Sequence, residues 1–91
     1  MKVVLHHTAE KYLLRLNEDN RNRIGKAIND LEKEPPEGDI RPYEGSPGIL
    51  RLRVGSFRII FKFKETGCIH ISHIEPRGQA YTKKTKSKRG K

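Results

Sequence analysis

Between Leu50 and Phe61 the chain reads LRLRVGSFRIIF, and that alternation leaves few choices of fold. Successive side chains of a β-strand point to opposite faces. Leu50, Leu52 and Val54 therefore share one face and Arg51 and Arg53 the other. In the next strand Phe57, Ile59, Phe61 and Phe63 share a face, opposed by Arg58, Ile60, Lys62 and Lys64. Gly55-Ser56 supplies the tight turn between the two. The large apolar set has to pack under another layer, which leaves Arg51, Arg53, Arg58 and Lys62 on an open second face.

The remaining sequence supplies the covering layer. Ala9, Tyr12, Leu13 and Leu16 follow the i, i+3, i+4, i+7 spacing of one buried helical face, and Ile24, Ala27, Ile28 and Leu31 repeat it. Thr8 is the expected N-cap of the first helix, with Glu10 in its first turn. The polar run Asn17–Asn20 separates the helices, and Pro35-Pro36 is expected to end the second. Lys2–His6 reads as a short strand, residues 37–48 (EGDIRPYEGSPG) as loop, and Cys68–Ile74 as a last strand reached through the Glu65-Thr66-Gly67 turn. The order β-α-α-β-β-β predicts an α+β domain, with a helical hairpin on one face of a small, mainly antiparallel sheet. Ninety-one residues make one such domain, expected over residues 1–81.

Charge is distributed unevenly. Lys plus Arg number 20 against 11 for Asp plus Glu, a net +9, yet residues 82–91 (TKKTKSKRGK) hold six basic residues and no acid. Residues 1–81 then carry 14 basic against 11 acidic residues, or +3. The tail has no apolar surface to bury and is expected to be disordered. A polycationic tail with arginines on strands points to a nucleic-acid partner rather than a membrane, since no basic amphipathic helix accompanies it. One cysteine, Cys68, rules out an intrachain disulfide and suits a reducing compartment. The first apolar run is too short for a signal peptide or a span, so a soluble cytoplasmic protein is expected.

Arginines held side by side repel one another, and an anion between them removes the repulsion. Their planar fork suits phosphate and stays charged at physiological pH. Arg77, just past the last strand, and Tyr81, four residues on, follow a segment loosened by Gly78 and can reach over the arginine face. A tyrosine there offers a stacking ring and a hydroxyl.

These runs, GSPGILRLRVGSFRIIFKF and then IHISHIEPRGQAYTK, resemble the RelE/ParE superfamily of bacterial type II toxins, RelE branch, over roughly residues 1–82. The similar parts are the glycine-containing loop, the R-x-R-V-G-x-F-R-I-I-F hairpin and the terminal R-x-x-x-Y. The resemblance implies a ribosome-dependent endoribonuclease that cuts mRNA in the A site by attack of the ribose 2′-oxygen on the adjacent phosphorus, leaving a 2′,3′-cyclic phosphate and a 5′-hydroxyl. Carried over, Arg53, Arg58, Arg77 and Tyr81 are the expected catalytic residues. Arg51, Lys62, Lys83 and Lys84 are the expected RNA contacts. The partners implied are a cognate antitoxin, the ribosome and mRNA; a ParE-like, non-enzymatic inhibitor of DNA gyrase is the alternative. Some relatives carry lysines on the first hairpin strand and a histidine before the terminal arginine, where this chain has Arg51, Arg53 and Pro76. The general base is therefore unassigned. Glu75, beside Arg77, is a candidate base by chemistry alone and otherwise reads as a surface carboxylate pairing with an arginine; His73 is close enough in sequence to be able to substitute for the missing histidine.

No metal and no cofactor is expected. His70 and His73 stand three apart on a strand, which turns them to opposite faces, and His6-His7 likewise diverge. Cys68 has no evident base beside it, and no P-loop, dinucleotide fingerprint or hydrolase elbow occurs.

Overall fold

A computed structural model of the chain describes residues 1–76. Strand β1 (Lys2–Leu5) leads into helices α1 (His7–Arg15) and α2 (Glu18–Leu31), followed by β2 (Asp39–Pro42), β3 (Leu50–Val54), β4 (Phe57–Phe63) and β5 (Cys68–Pro76). The five strands form one sheet in the order β1-β5-β4-β3-β2. β1 runs parallel to β5, and every other pair is antiparallel. Two helices on one face of a mixed open sheet agree with the expected α+β class. Among the described residues no helix is long and apolar enough to cross a membrane.

The helices begin where the backbone lets them. The His6 N–H donates to Ile71 O at 3.0 Å, which holds His6 extended (φ −74°, ψ 159°), and its own carbonyl accepts from Glu10 N–H at 3.0 Å. His6 is thus the N-cap, without a side-chain cap bond, and Thr8 lies inside the helix rather than capping it. A strand hydrogen bond decided the start, not the local capping preference. α2 has a side-chain cap: Asn17 accepts from Asn20 N–H at 2.9 Å. Leu31 closes α2 with Glu32 as C-cap, so the helix stops short of Pro35-Pro36.

Residues 37–48 are not all loop. Asp39–Pro42 pairs with β3, Ile40 facing Leu52 and Asp39 facing Arg53. The Gly38, Asp39 and Pro42 signals that read as loop are those an edge strand tolerates, because it needs only one ladder of hydrogen bonds. Gly38 has φ +136°, and a Cβ built there would lie 2.5 Å from Leu52 Cδ1. Leu52 is 2% exposed, so it has little room to yield. Gly38→Ala should cost about 1–3 kcal/mol, from backbone strain and overpacking together. Urea denaturation would show it as a lower midpoint with an unchanged slope.

The core lies between helices and sheet: Ala9, Ile24, Ile28 and Leu31 from the helices against Leu52, Phe57, Ile59, Phe61, Ile69, Ile71 and Ile74. Burying each large side chain is worth about 1.5–3 kcal/mol. Phe63 departs from the expected set. It is 49% exposed at the end of β4 and borders an open cleft of about 700 Å³ with Tyr43, Pro47, Ile49 and Leu50.

One irregularity re-aims β5. Ile60 pairs with His73 but Phe61 pairs with Ile71, so Ser72 is an extra residue, a β-bulge. Ile69, Ile71 and Ile74 therefore all reach the core despite their uneven spacing. Lys62 pairs with His70 and Ile60 with His73, and Lys62 and Ile60 share a face. His70 and His73 consequently lie on the same open face, where simple alternation would have opposed them.

Candidate nucleic-acid interface

The register places two rows of side chains across the open face. In one, Asp39 pairs with Arg53, Arg53 with Arg58, and Arg58 with Glu75, spanning β2 to β5. In the next row stand Arg41, Arg51, Ile60 and His73. Strand alternation thus delivers Arg51, Arg53 and Arg58 to one surface, as expected.

That surface is not purely cationic. Arg53 Nη1 lies 3.6 Å from Asp39 Oδ2, Arg41 Nε 3.4 Å from Asp39 Oδ1, and Arg51 Nη1 donates to Asp39 O at 3.4 Å. Arg58 Nη2 pairs with Glu75 Oε2. The protein's own carboxylates therefore supply part of the neutralisation that the sequence left to an external anion. Glu75 does pair with an arginine, but it is no surface group: its side chain is 23% exposed and that of Arg58 is 19% exposed. β5 continues two residues past Ile74, and that continuation sets Glu75 directly beside Arg58.

Tyr43 completes the cluster, and sequence reasoning missed it. It follows β2 and returns over the sheet, held by a backbone bond from Tyr43 N–H to Ile49 O at 2.9 Å. Its hydroxyl donates to Glu75 (3.3 Å to Oε2, 3.5 Å to Oε1), and the Arg58 guanidinium stands 5.6 Å from its ring centroid. Such a contact adds about 0.5–1 kcal/mol near the surface. The available signal was the continuation of the polar alternation Asp39, Arg41, Tyr43 through β2. His73 Nε2 approaches Glu75 Oε1 at 3.3 Å, and its Nδ1 lies 3.3 Å from Ser72 Oγ.

A cleft of about 520 Å³ opens over this cluster, lined by Arg41, Pro42, Tyr43, Glu44, Arg51 and Arg58. Arg58 Nε is buried and has no hydrogen-bond partner among the described residues. A buried guanidinium N–H left without an acceptor is costly, and an anionic oxygen removes that cost. Lys62 shares the face but sits four residues along β4, about 13 Å from Arg58, and is not part of the cluster. Arg77, Tyr81, Lys83 and Lys84 lie outside the described residues.

Burial and the Glu75 charge both raise the Tyr43 pKa above 10.0, burial being the larger, while Arg58 opposes them. Burial and Glu75 also raise that of Tyr12. A group with a raised folded-state pKa contributes fully below its unfolded value and loses that contribution as pH climbs through the folded one. Stability should therefore fall as pH rises past about 10. Tyr43→Phe should flatten part of that fall in thermal unfolding followed from pH 8 to 11. An unchanged alkaline limb would contradict it.

Residues 3–81 match the family model described as the ParE toxin of type II toxin–antitoxin systems, parDE. No curated protein matches the sequence. Among solved structures, the fold is similar to the archaeal RelE–RelB complex from Pyrococcus horikoshii OT3, with TM-score 0.71 and 28% identity over 86% of this chain and 96% of that one. It is also similar to isolated E. coli RelE toxin, with TM-score 0.68 and 13% identity over 89% of this chain and 90% of that one. The RelB–RelE complex from Methanococcus jannaschii matches with TM-score 0.66 and 22% identity over 87% of this chain and 95% of that one. At 13% and 22% identity the likeness is one of fold.

Proposed function

This chain belongs to the ParE toxin family, within the RelE/ParE superfamily of type II toxins, and we propose that it is a ribosome-dependent endoribonuclease that cleaves mRNA in A-site codons. The observation that carries this reading is Arg58: a half-sunken guanidinium with an unpartnered buried Nε, beside an aromatic ring, at the floor of an open cleft. Inhibition of gyrase by contact alone does not call for a desolvated arginine at the floor of an open cleft.

In the reaction the ribose 2′-oxygen forms a bond to the adjacent phosphorus as the bond to the 5′-oxygen breaks. Negative charge builds on the non-bridging oxygens, and Arg58, joined by Arg77, stabilises it. Arg53 orients the phosphate. Arg51, with Lys62 farther along the face, holds the backbone. Tyr81 stacks on a base or passes a proton to the leaving oxygen. Glu75 and His73 stand on the same face and are able to accept the 2′-proton. Phosphate binding has to share Arg58 with Glu75 or displace it, so the resting ion pair acts as a stand-in for substrate.

The partner is a small antitoxin, in keeping with the RelE–RelB complexes among the similar structures, and both would act in the cytoplasm. Lys83, Lys84 and the rest of the tail add electrostatic affinity for ribosomal RNA. Truncation after residue 82 should flatten the salt dependence of ribosome binding by roughly 0.7–0.9 log units per lost phosphate contact. An unchanged slope would leave the tail without that role.

The test is a cell-free translation reaction on a defined mRNA with 5′ ends mapped. Ribosome-dependent cuts within codons are expected. The match to the ParE toxin model favours gyrase inhibition as the second reading. Intact mRNA with loss of supercoiling activity would establish it.

A further inference from the structure

At the other end of β5, remote from the arginine cluster, three different metal-ligand types meet. Glu65, Cys68 and His70 each place one ligand atom so that all three lie within 4.8 Å of one another. Glu75 is seven residues farther along the strand, about 23 Å away. The hairpin turn fixes the first two ligands: Cys68 N–H donates to Glu65 O at 2.9 Å and Lys64 N–H to Cys68 O at 3.1 Å. Cys68 and His70 are two apart on β5, before the bulge, and so share a face.

We propose that Glu65, Cys68 and His70 form a transition-metal site of the zinc class at the β4–β5 turn, with His6 orienting His70. Ligand atoms around tetrahedral zinc, bound at about 2.0–2.3 Å, stand about 3.3–3.6 Å apart. From separations within 4.8 Å, rotamer adjustments of up to about 1.5 Å close the site. A solvent molecule completes the coordination, since Glu65 is exposed.

Donor chemistry selects the ion. One thiolate, one imidazole and one carboxylate suit zinc or cobalt rather than magnesium or calcium, which take oxygen donors. In register, Lys62 stands opposite His70 and Lys2 opposite Cys68, so bare positive charge is disfavoured here. A Cys68 thiolate and the Glu65 carboxylate together cancel the charge of a divalent ion. On binding, the Cys68 S–H bond breaks, the metal–sulfur bond forms, and the proton leaves to solvent.

The contact to His6 supports the assignment independently. His70 Nδ1 lies 3.0 Å from His6 Nε2, which leaves His70 Nε2 for the ion. His6 is itself fixed by its backbone bond to Ile71 O at 3.0 Å. A ligating histidine is commonly oriented by a hydrogen bond at its second nitrogen, from a carboxylate, a carbonyl or water, and here the His6 imidazole takes that place. The metal would fasten the β4–β5 hairpin, and through His6 the junction of β1 with α1. Residues 77–91 contain no Cys, His, Asp or Glu, so no side chain of those types beyond β5 competes.

The test uses untagged full-length protein titrated with cobalt(II) and then displaced by zinc(II). The expected result is one ion per chain, with a thiolate-to-cobalt charge-transfer band and the visible bands of tetrahedral cobalt, and a raised melting temperature. Cys68 is the chain's one cysteine, so Cys68→Ser should abolish the charge-transfer band. His70→Gln and Glu65→Gln should each weaken binding, and His6→Ala should lower affinity about 10–100-fold while the spectrum stays tetrahedral. Circular dichroism of each metal-free variant separates ligand loss from unfolding. Absence of cobalt bands at micromolar metal, or bands and affinity unchanged in folded His70→Gln and Glu65→Gln, would overturn the proposal.

Discussion

Glu75→Ala should destabilise the protein by about 3 kcal/mol, a large share of a small domain's stability. The carboxylate touches three groups at once: Arg58, the Tyr43 hydroxyl and His73. Its removal strands Arg58 with a side chain only 19% exposed and a second donor, Nε, already unpartnered among the described residues. An uncompensated charge in that setting costs far more than the intact pair contributes over an apolar replacement. The melting temperature should drop by roughly 12–24 °C, at about 4–8 °C per kcal/mol for a domain this size. A double variant, Arg58→Leu with Glu75→Leu, should regain most of the loss, because neither charge is then left alone. If the double variant were as unstable as Glu75→Ala, the loss would lie in packing and not in charge. Glu75→Gln keeps the shape and some hydrogen bonding while releasing Arg58, so affinity for RNA phosphate should rise.

Arg58→Gln should lower the rate of mRNA cleavage about 10²–10³-fold, the usual effect of removing one preplaced donor at a charge-developing transition state. The expectation rests on where Arg58 is held. Its guanidinium is packed against Tyr43, tied by Glu75 and sunk in the cleft floor, so it needs no reorganisation as charge develops. Arg53 should matter less. Its side chain is 43% exposed and its partner Asp39 is 41% exposed, which leaves both screened by water. Arg58→Lys should recover little, since a point charge cannot span two phosphate oxygens as the planar fork does. Arg58→Gln leaves Glu75 without its cation, so its rate has to be compared at a temperature where the variant is folded.

The parts legible in sequence were those governed by strict periodicity. Period-two alternation in residues 50–63 puts Arg51, Arg53 and Arg58 on one face, and the helical spacing of Ile24, Ile28 and Leu31 marks the α2 side of the core. What escaped was decided by tertiary pairing. Asp39–Pro42 carries the composition of a loop and is a strand only because β3 offers an edge. Thr8 has the better capping chemistry, yet His6 caps α1 because its N–H is committed to Ile71. The Ser72 bulge has no local signature, and it reverses the expected relation of His70 to His73. Tyr43 reaches Glu75 across 32 positions of chain, a contact no short-range pattern encodes.

The most direct measurement is single-turnover cleavage of a defined mRNA on programmed ribosomes, with wild-type protein and Arg58→Gln compared at saturating protein. The account predicts cuts in the A-site codon by the wild type, 2′,3′-cyclic phosphate ends, and a rate about 10²–10³-fold lower in the variant while ribosome binding persists. Equal rates in the two proteins, or an intact message with the wild type bound, would contradict it.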